Sequence, residues 1–298
     1  MFDHAKQMYF GAYDFGYSIS LAETLIDPAT GEKGIWNPDV LTYNLARLIR
    51  VQQPDIIFSH HRHGYLDHGQ HQATGYLIER AIELAANPDY IIKNYNNKTS
   101  LDAWTVKKFY SSWREQLDGN VESADLKIGL GEYNPFLGMS YAEEGTIGRN
   151  MHKCQKMVSP PKKGPQISYW KLQKCAPGFE KHKDTILGGI DTTIASIGSD
   201  LPQQYKDEVY SDVIELNQLI DKIVTNFNIH SPLGVSDGLD NAMKVAINIE
   251  NKVKTFPDAT KGKNHTLELI NRVKDNINKV IIDIYGVAVD ISLSDNDV

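Results

Sequence analysis

The chain has 298 residues, 41% of them hydrophobic, enough to bury a core in one large domain or two smaller ones. Its 38 acidic against 31 basic side chains leave a net charge of −7, which argues against a general affinity for nucleic acid or an anionic membrane surface. No apolar run approaches the ~20 residues that a membrane-spanning helix needs.

The opening residues Met1–Lys6 show neither a basic region nor an apolar core, so no secretory leader is legible and the compartment stays undetermined. Asp14-Phe15-Gly16-Tyr17-Ser18 reads as a loop and Asp27-Pro28-Ala29-Thr30-Gly31 as a turn. Asn37-Pro38-Asp39 starts a helix with proline at a tolerated first-turn position. Val40, Leu41, Leu45, Leu48 and Ile49 form its expected apolar face. Pro54–His60 then carries the short apolar run Ile56-Ile57-Phe58, expected to be a strand buried on both faces of a parallel sheet. A helix from about Gln72 to Ala86 follows, and further strands are expected at Val106–Tyr110 and Asp125–Ile128. Residues 1–50 offer that strand no obvious partner, so the sheet is expected to lack its first strands.

The composition shifts after about residue 160, where Pro160-Pro161-Lys162-Lys163-Gly164-Pro165 reads as a loop. From Asp184 onward the pattern is helical. Val209, Val213, Leu216, Ile220, Ile223 and Phe227 step by three and four, as do Leu267, Ile270, Val273, Ile277 and Ile281, with Met243, Ala246, Ile249 and Val253 between them. The fold expected is α/β, a partial Rossmann-like parallel sheet with helices over residues 1–178, followed by an α-helical region over 179–290.

Five of the ten histidines lie between positions 60 and 71, in Ser59-His60-His61-Arg62-His63-Gly64-Tyr65-Leu66-Asp67-His68-Gly69-Gln70-His71. A structural histidine gains nothing from neighbours of its own kind, so a cluster after a buried strand points to metal or acid–base chemistry. His68 and His71, three apart at a helix start, share one face, and one can bind zinc while the other faces a substrate oxygen. A catalytic zinc takes about three protein ligands and a water. His71 supplies one, and the others come from His60, His61, His63 or Asp67, or from outside this sequence. Adjacent histidines at a strand end point to opposite sides, which weighs against His60, His61 and His63 all serving together. Cys154 and Cys175 read as free thiols or a single bridge, and neither sits in a C-x-x-C pair.

His68-Gly69-Gln70-His71-Gln72-Ala73-Thr74-Gly75, preceded by Gln53-Pro54-Asp55-Ile56-Ile57, resembles the second signature of the LmbE-like (PIG-L) deacetylases. Asp14–Ser18 with Glu23-Thr24 resembles the loop before that strand in larger bacterial members. Glu132–Pro135, Gly138–Tyr141 and Gly148–Gln155 resemble a later active-site segment, so the likeness spans residues 1–175. It implies a zinc-dependent hydrolase that removes an acetyl group from an N-acetylated amino sugar or similar small amide. His71 would then be a metal ligand and His68 the catalytic oxyanion or acid partner, with Asp14, Arg149 and His152 as candidate substrate contacts. Gln155 shares a helical face with the last two.

The resemblance also implies two further ligands and a base from an upstream H-P-D-D-E-type motif, which this sequence does not contain. Met1–Lys6 reads like the middle of a family helix, and the chain stops abruptly after Ile282–Val287. A fragment truncated at both ends is therefore expected. A non-catalytic remnant, binding a sugar or serving an interaction role, is the competing expectation.

Overall fold

A computed structural model describes residues 8, 11–27, 29–31, 34–64, 67–96, 99–114, 118–155 and 158–287. The opening Met1–Lys6 and the Tyr65-Leu66 pair of the histidine cluster lie outside the described residues. The chain divides into two compact units, Met1–Ile190 and Asp191–Val298, so the division falls after the expected boundary at 178.

The first unit is a mixed α/β structure. Helix α1, Pro38–Gln52, begins where Asn37 accepts hydrogen bonds from the Asp39 and Val40 amides at 3.0 Å each. It ends at Gln53, whose left-handed φ of 49° turns the chain into Pro54. Its inward face is Leu41, Ala46 and Ile49, with Leu45 half-buried, and Val40 lies exposed instead of joining that face. Val40 stands about 100° around the helix from Leu41, on the solvent side of the buried face.

Strand β1, Ile56–Ser59, is followed by helix α2, Gly69–Ala86, which starts three residues earlier than the apolar pattern suggests. Strands β2, Lys108–Ser112, and β3, Leu126–Gly129, fall near their expected places. Strand β4, Ile167–Cys175, was not anticipated. The sheet order is β1-β2-β4-β3. β1 and β2 run parallel, with Ile56 opposite Lys108 and Ser59 opposite Ser111. β4 is antiparallel to both its neighbours, so the sheet is mixed rather than parallel. β1 lies at the sheet's edge and Phe58 is 39% exposed, so the strand is not buried on both faces. Phe58 stacks on Tyr110 at 5.3 Å and meets the edge of Trp170 at 4.8 Å.

Helices α1 and α2 pack together through Ala46, Ile49, Ala81, Ile82 and Ala85, in a cluster that also takes in Phe109 of β2. Arg50 locks this pair. Its buried guanidinium donates to the carbonyls of Leu84, Ala85, Asn87, Tyr90 and Leu101, capping the C-terminal end of α2 with a cation where the helix dipole favours one. Helix α3, Tyr141–Arg149, opens with a capping box between Ser140 and Glu143.

The second unit consists of helices α4 (Gln203–Asn226), α5 (Ser236–Thr255) and α6 (Lys263–Tyr285). Their apolar stripes meet in a core that includes Val213, Leu216, Ala246, Ile249 and Ile270. Glu250 of α5 pairs with Lys254 at 2.6 Å and with Lys274 of α6 at 2.5 Å. No helix among the described residues is long and apolar enough to cross a membrane.

Candidate metal centre

The histidine cluster occupies the carboxyl end of β1 and the first turn of α2, where a strand-to-helix loop gathers functional side chains. Ser59 ends the strand by a local turn. Its hydroxyl donates to the His61 carbonyl at 2.6 Å and accepts from the His61 amide at 3.2 Å. Beyond the turn the two adjacent histidines meet different surroundings. His61 is 3% exposed and stacks on His71 with ring centroids 3.9 Å apart. His60 is exposed and contacts the guanidinium of Arg114.

Asp67 completes the group from the N-terminal side of α2. One carboxylate oxygen accepts the His68 amide at 2.7 Å, and the other lies 3.0 Å from His71 Nδ1. Ligand atoms of His61, Asp67 and His71 all lie within 4.8 Å of one another. Two imidazoles and a carboxylate are donors suited to a divalent transition metal. The side chains of His71 and Asp67 keep 38% and 29% of their surface exposed, so one side of the group faces solvent. These three residues could hold a metal ion.

Electrostatics disfavour the protonated forms of His61 and His60 and favour the charged carboxylate of Asp67. Burial drives the His61 pKa down to about 3, helped by His71, His60 and Arg114, while Asp67 pulls the other way. Burial also lowers His60, with Arg114 and His71 adding to the effect. For Asp67, burial pushes the carboxyl up, but the His68 amide and the His71 ring outweigh it and leave it below its ordinary value.

His68 is the N-cap residue of α2, and its ring lies 3.7 Å from that of His71, centroid to centroid. Its Nδ1 is 2.9 Å from Gln70 Oε1, and the ring of Tyr17 lies 5.2 Å away. His63 is exposed, with its ring 5.3 Å from that of Tyr76. The glycine at 75 has a steric reason, since a Cβ there would overlap the Arg62 carbonyl.

The remaining sequence candidates stand apart. Asp14 is exposed, and in the 14–18 loop it is Gly16 and Ser18 that bond into the start of α2, through Gln70. Helix α3 stops at Arg149, so Arg149 and His152 do not share a helical face. Asn150 diverts the chain there by bonding both the amide and the carbonyl of Ser159. His152 Nδ1 lies 3.0 Å from the Arg149 carbonyl, and Arg149 donates to Ser159 at 3.5 Å. Neither makes a described contact with the histidine cluster. The side chain of Gln155 lies outside the described residues. Both Cys154 and Cys175 are free thiols. Sequence reasoning named His61 and Asp67 only among several options, and it passed over Ser18, Gln70 and Arg114.

No family model matches the chain, and no curated protein or solved structure is significantly similar to it.

Proposed function

We propose that this chain is a metal-dependent amide hydrolase. Within that class the reading is an LmbE-like deacetylase that uses zinc and acts on an N-acetylated amino sugar or a similar small amide. The observation that carries it is the meeting of His61, Asp67 and His71 beside His68, at the carboxyl end of β1. The sequence blocks around His68–Gly75, Asp14–Ser18 and Glu132–Gln155 support the narrower family reading.

His71, with His61 and Asp67, would hold the metal, which when bound supplies Lewis acidity toward the amide carbonyl. His68 lies against His71 and outside the ligand group, where it can exchange a proton with substrate or steady a developing oxyanion. Asp67 is the single carboxylate of the group. With Asp67 committed to the metal, proton transfer falls to His68.

The test is metal content together with acetate release from a panel of N-acetylated amino sugars. Wild type is expected to hold about one zinc per chain, His71→Ala none, and His68→Ala nearly all of it with reduced turnover. Equal zinc content in wild type and His71→Ala would remove the assignment. The lone carboxylate also favours a second reading, a sugar-binding module without catalysis, which predicts zinc and sugar binding with no acetate released.

A further inference from the structure

The start of α2 is strapped to the preceding loop by side chains that have no part in holding a metal. Gly69 donates its amide to the Ser18 carbonyl at 2.8 Å, and a Cβ at that glycine would overlap Thr24 and Ser20. Gln72 accepts the Leu21 amide at 3.2 Å. Gln70 makes the most determined contact of the set. Its Nε2 donates to the Gly16 carbonyl at 2.7 Å. Its Oε1 accepts from the Ser18 hydroxyl at 2.9 Å and faces the Ser18 amide at 3.4 Å.

Those two backbone groups fix which way the amide points. Turned over, it would set its carbonyl against the Gly16 carbonyl and its NH2 against the Ser18 N–H, losing both bonds. The oxygen of Gln70 is therefore the atom that meets His68 Nδ1 at 2.9 Å. An amide oxygen only accepts, so Nδ1 must carry the proton and the neutral ring keeps its lone pair on Nε2.

We infer that Gln70 is a positioning residue that fixes His68 in the Nδ1–H tautomer, leaving Nε2 as the one nitrogen able to take up a substrate proton. The catalytic part of this statement rests on the function proposed above, whereas the tautomer does not. An uncharged amide holds the ring without adding a negative charge to favour the imidazolium, so it supplies orientation rather than extra basicity.

The experiment is a long-range proton–nitrogen correlation spectrum of the full chain labelled with 15N-histidine. It is recorded without metal at about pH 8, where a free imidazole is neutral, and His68→Gln identifies the signal. Wild type is expected to show the Nδ1–H pattern at His68. Gln70→Met, which removes the acceptor, should give the tautomer mixture of a free ring, and Gln70→Glu should restore the wild-type pattern. In the metal-loaded protein, Gln70→Met should lower kcat about tenfold with KM little changed. An Nε2–H pattern in wild type overturns the inference whether or not the variants fold, as does an unchanged tautomer in Gln70→Met. A chain with the expected tautomer but no hydrolysis supports the tautomer and overturns only the function.

Discussion

His61 and His60 are adjacent, yet one is expected to bind metal and the other not. Replacing His61 by Gln removes the buried ring that lies 3.9 Å from His71 while leaving Asp67 and His71 in place. Loss of a residue that only supports a ligand costs about 10–100-fold in metal affinity. Loss of a ligand itself should exceed the upper figure, about 100-fold, or about 2.7 kcal/mol. The same quantity is read from stability, because a ligand bound only by the folded state stabilises by RT ln(1 + [L]/Kd). At zinc about 100 times the wild-type Kd, wild type gains about 2.7 kcal/mol and His61→Gln only about 0.4 kcal/mol. His60→Gln should match wild type, since His60 turns toward Arg114. Competition with a chromophoric chelator gives the affinities, and urea unfolding with and without zinc gives the linked stabilities. Unchanged affinity in His61→Gln, with affinity lost in His71→Ala, would refute the ligand set and place the missing ligands elsewhere.

Arg50→Met leaves the Tyr90 and Leu101 carbonyls without their guanidinium donors, while Leu84, Ala85 and Asn87 each keep a backbone donor. At about 1.5–3 kcal/mol for a hydrogen bond from a charged group, the loss should reach at least about 1.5 kcal/mol in denaturant unfolding, and a change under about 1 would contradict it. Asp125 is buried, which pushes its carboxyl up, but Lys183, the Leu172 amide and Lys171 hold it below its ordinary value. Its stabilisation is therefore present above the unfolded pKa, about 3.9, and is lost as pH falls through the lower folded value. Asp125→Asn should cost about 1.5–3 kcal/mol at neutral pH and flatten the acid limb of the unfolding curve below about pH 4. Gly69→Ala should drive the 18–24 turn off α2, costing about 1–3 kcal/mol in thermal unfolding, because the added methyl meets backbone and buried hydroxyls.

What the sequence carried and what it withheld divide along physical lines. The run Ile56-Ile57-Phe58 marked a strand because three consecutive apolar residues after a proline have few other uses. Its place at a sheet edge depended on which segments pair with it, and that is not a local property. Strand β4 escaped because Ile167–Cys175 breaks alternation at Tyr169-Trp170 and at Gln173-Lys174, directly after a proline- and lysine-rich loop. Its antiparallel insertion turned an expected parallel sheet into a mixed one. The helical stripes of the second unit were legible because a period of three and four is written into each helix by itself. In the cluster, residue type pointed to metal chemistry, but the choice between His60 and His61 hung on the Ser59 turn. A shift of one residue at a strand end reverses which side chain points inward. The Gln70 contact was equally hidden, since it needs a loop more than fifty residues upstream.

A cation at this site would give the crowded rings a use that packing alone does not. His60, His61, His68 and His71 crowd together, with neighbouring centroids 3.7 to 4.5 Å apart. Burial and the nearby Arg114 disfavour protonation of His60 and His61, and the amino end of α2 adds positive potential to the same region. Imidazole rings stacked this closely gain less from one another than a hydrophobic side chain of similar size would gain in their place. Burying the His61 ring carries a desolvation cost that a bound ion would help to offset. The charged carboxylate of Asp67, set 3.0 Å from His71 Nδ1, supplies the negative charge that a divalent ion requires. Proton affinity is suppressed at His60 and His61 beside three side chains, His61, Asp67 and His71, that could hold a metal ion.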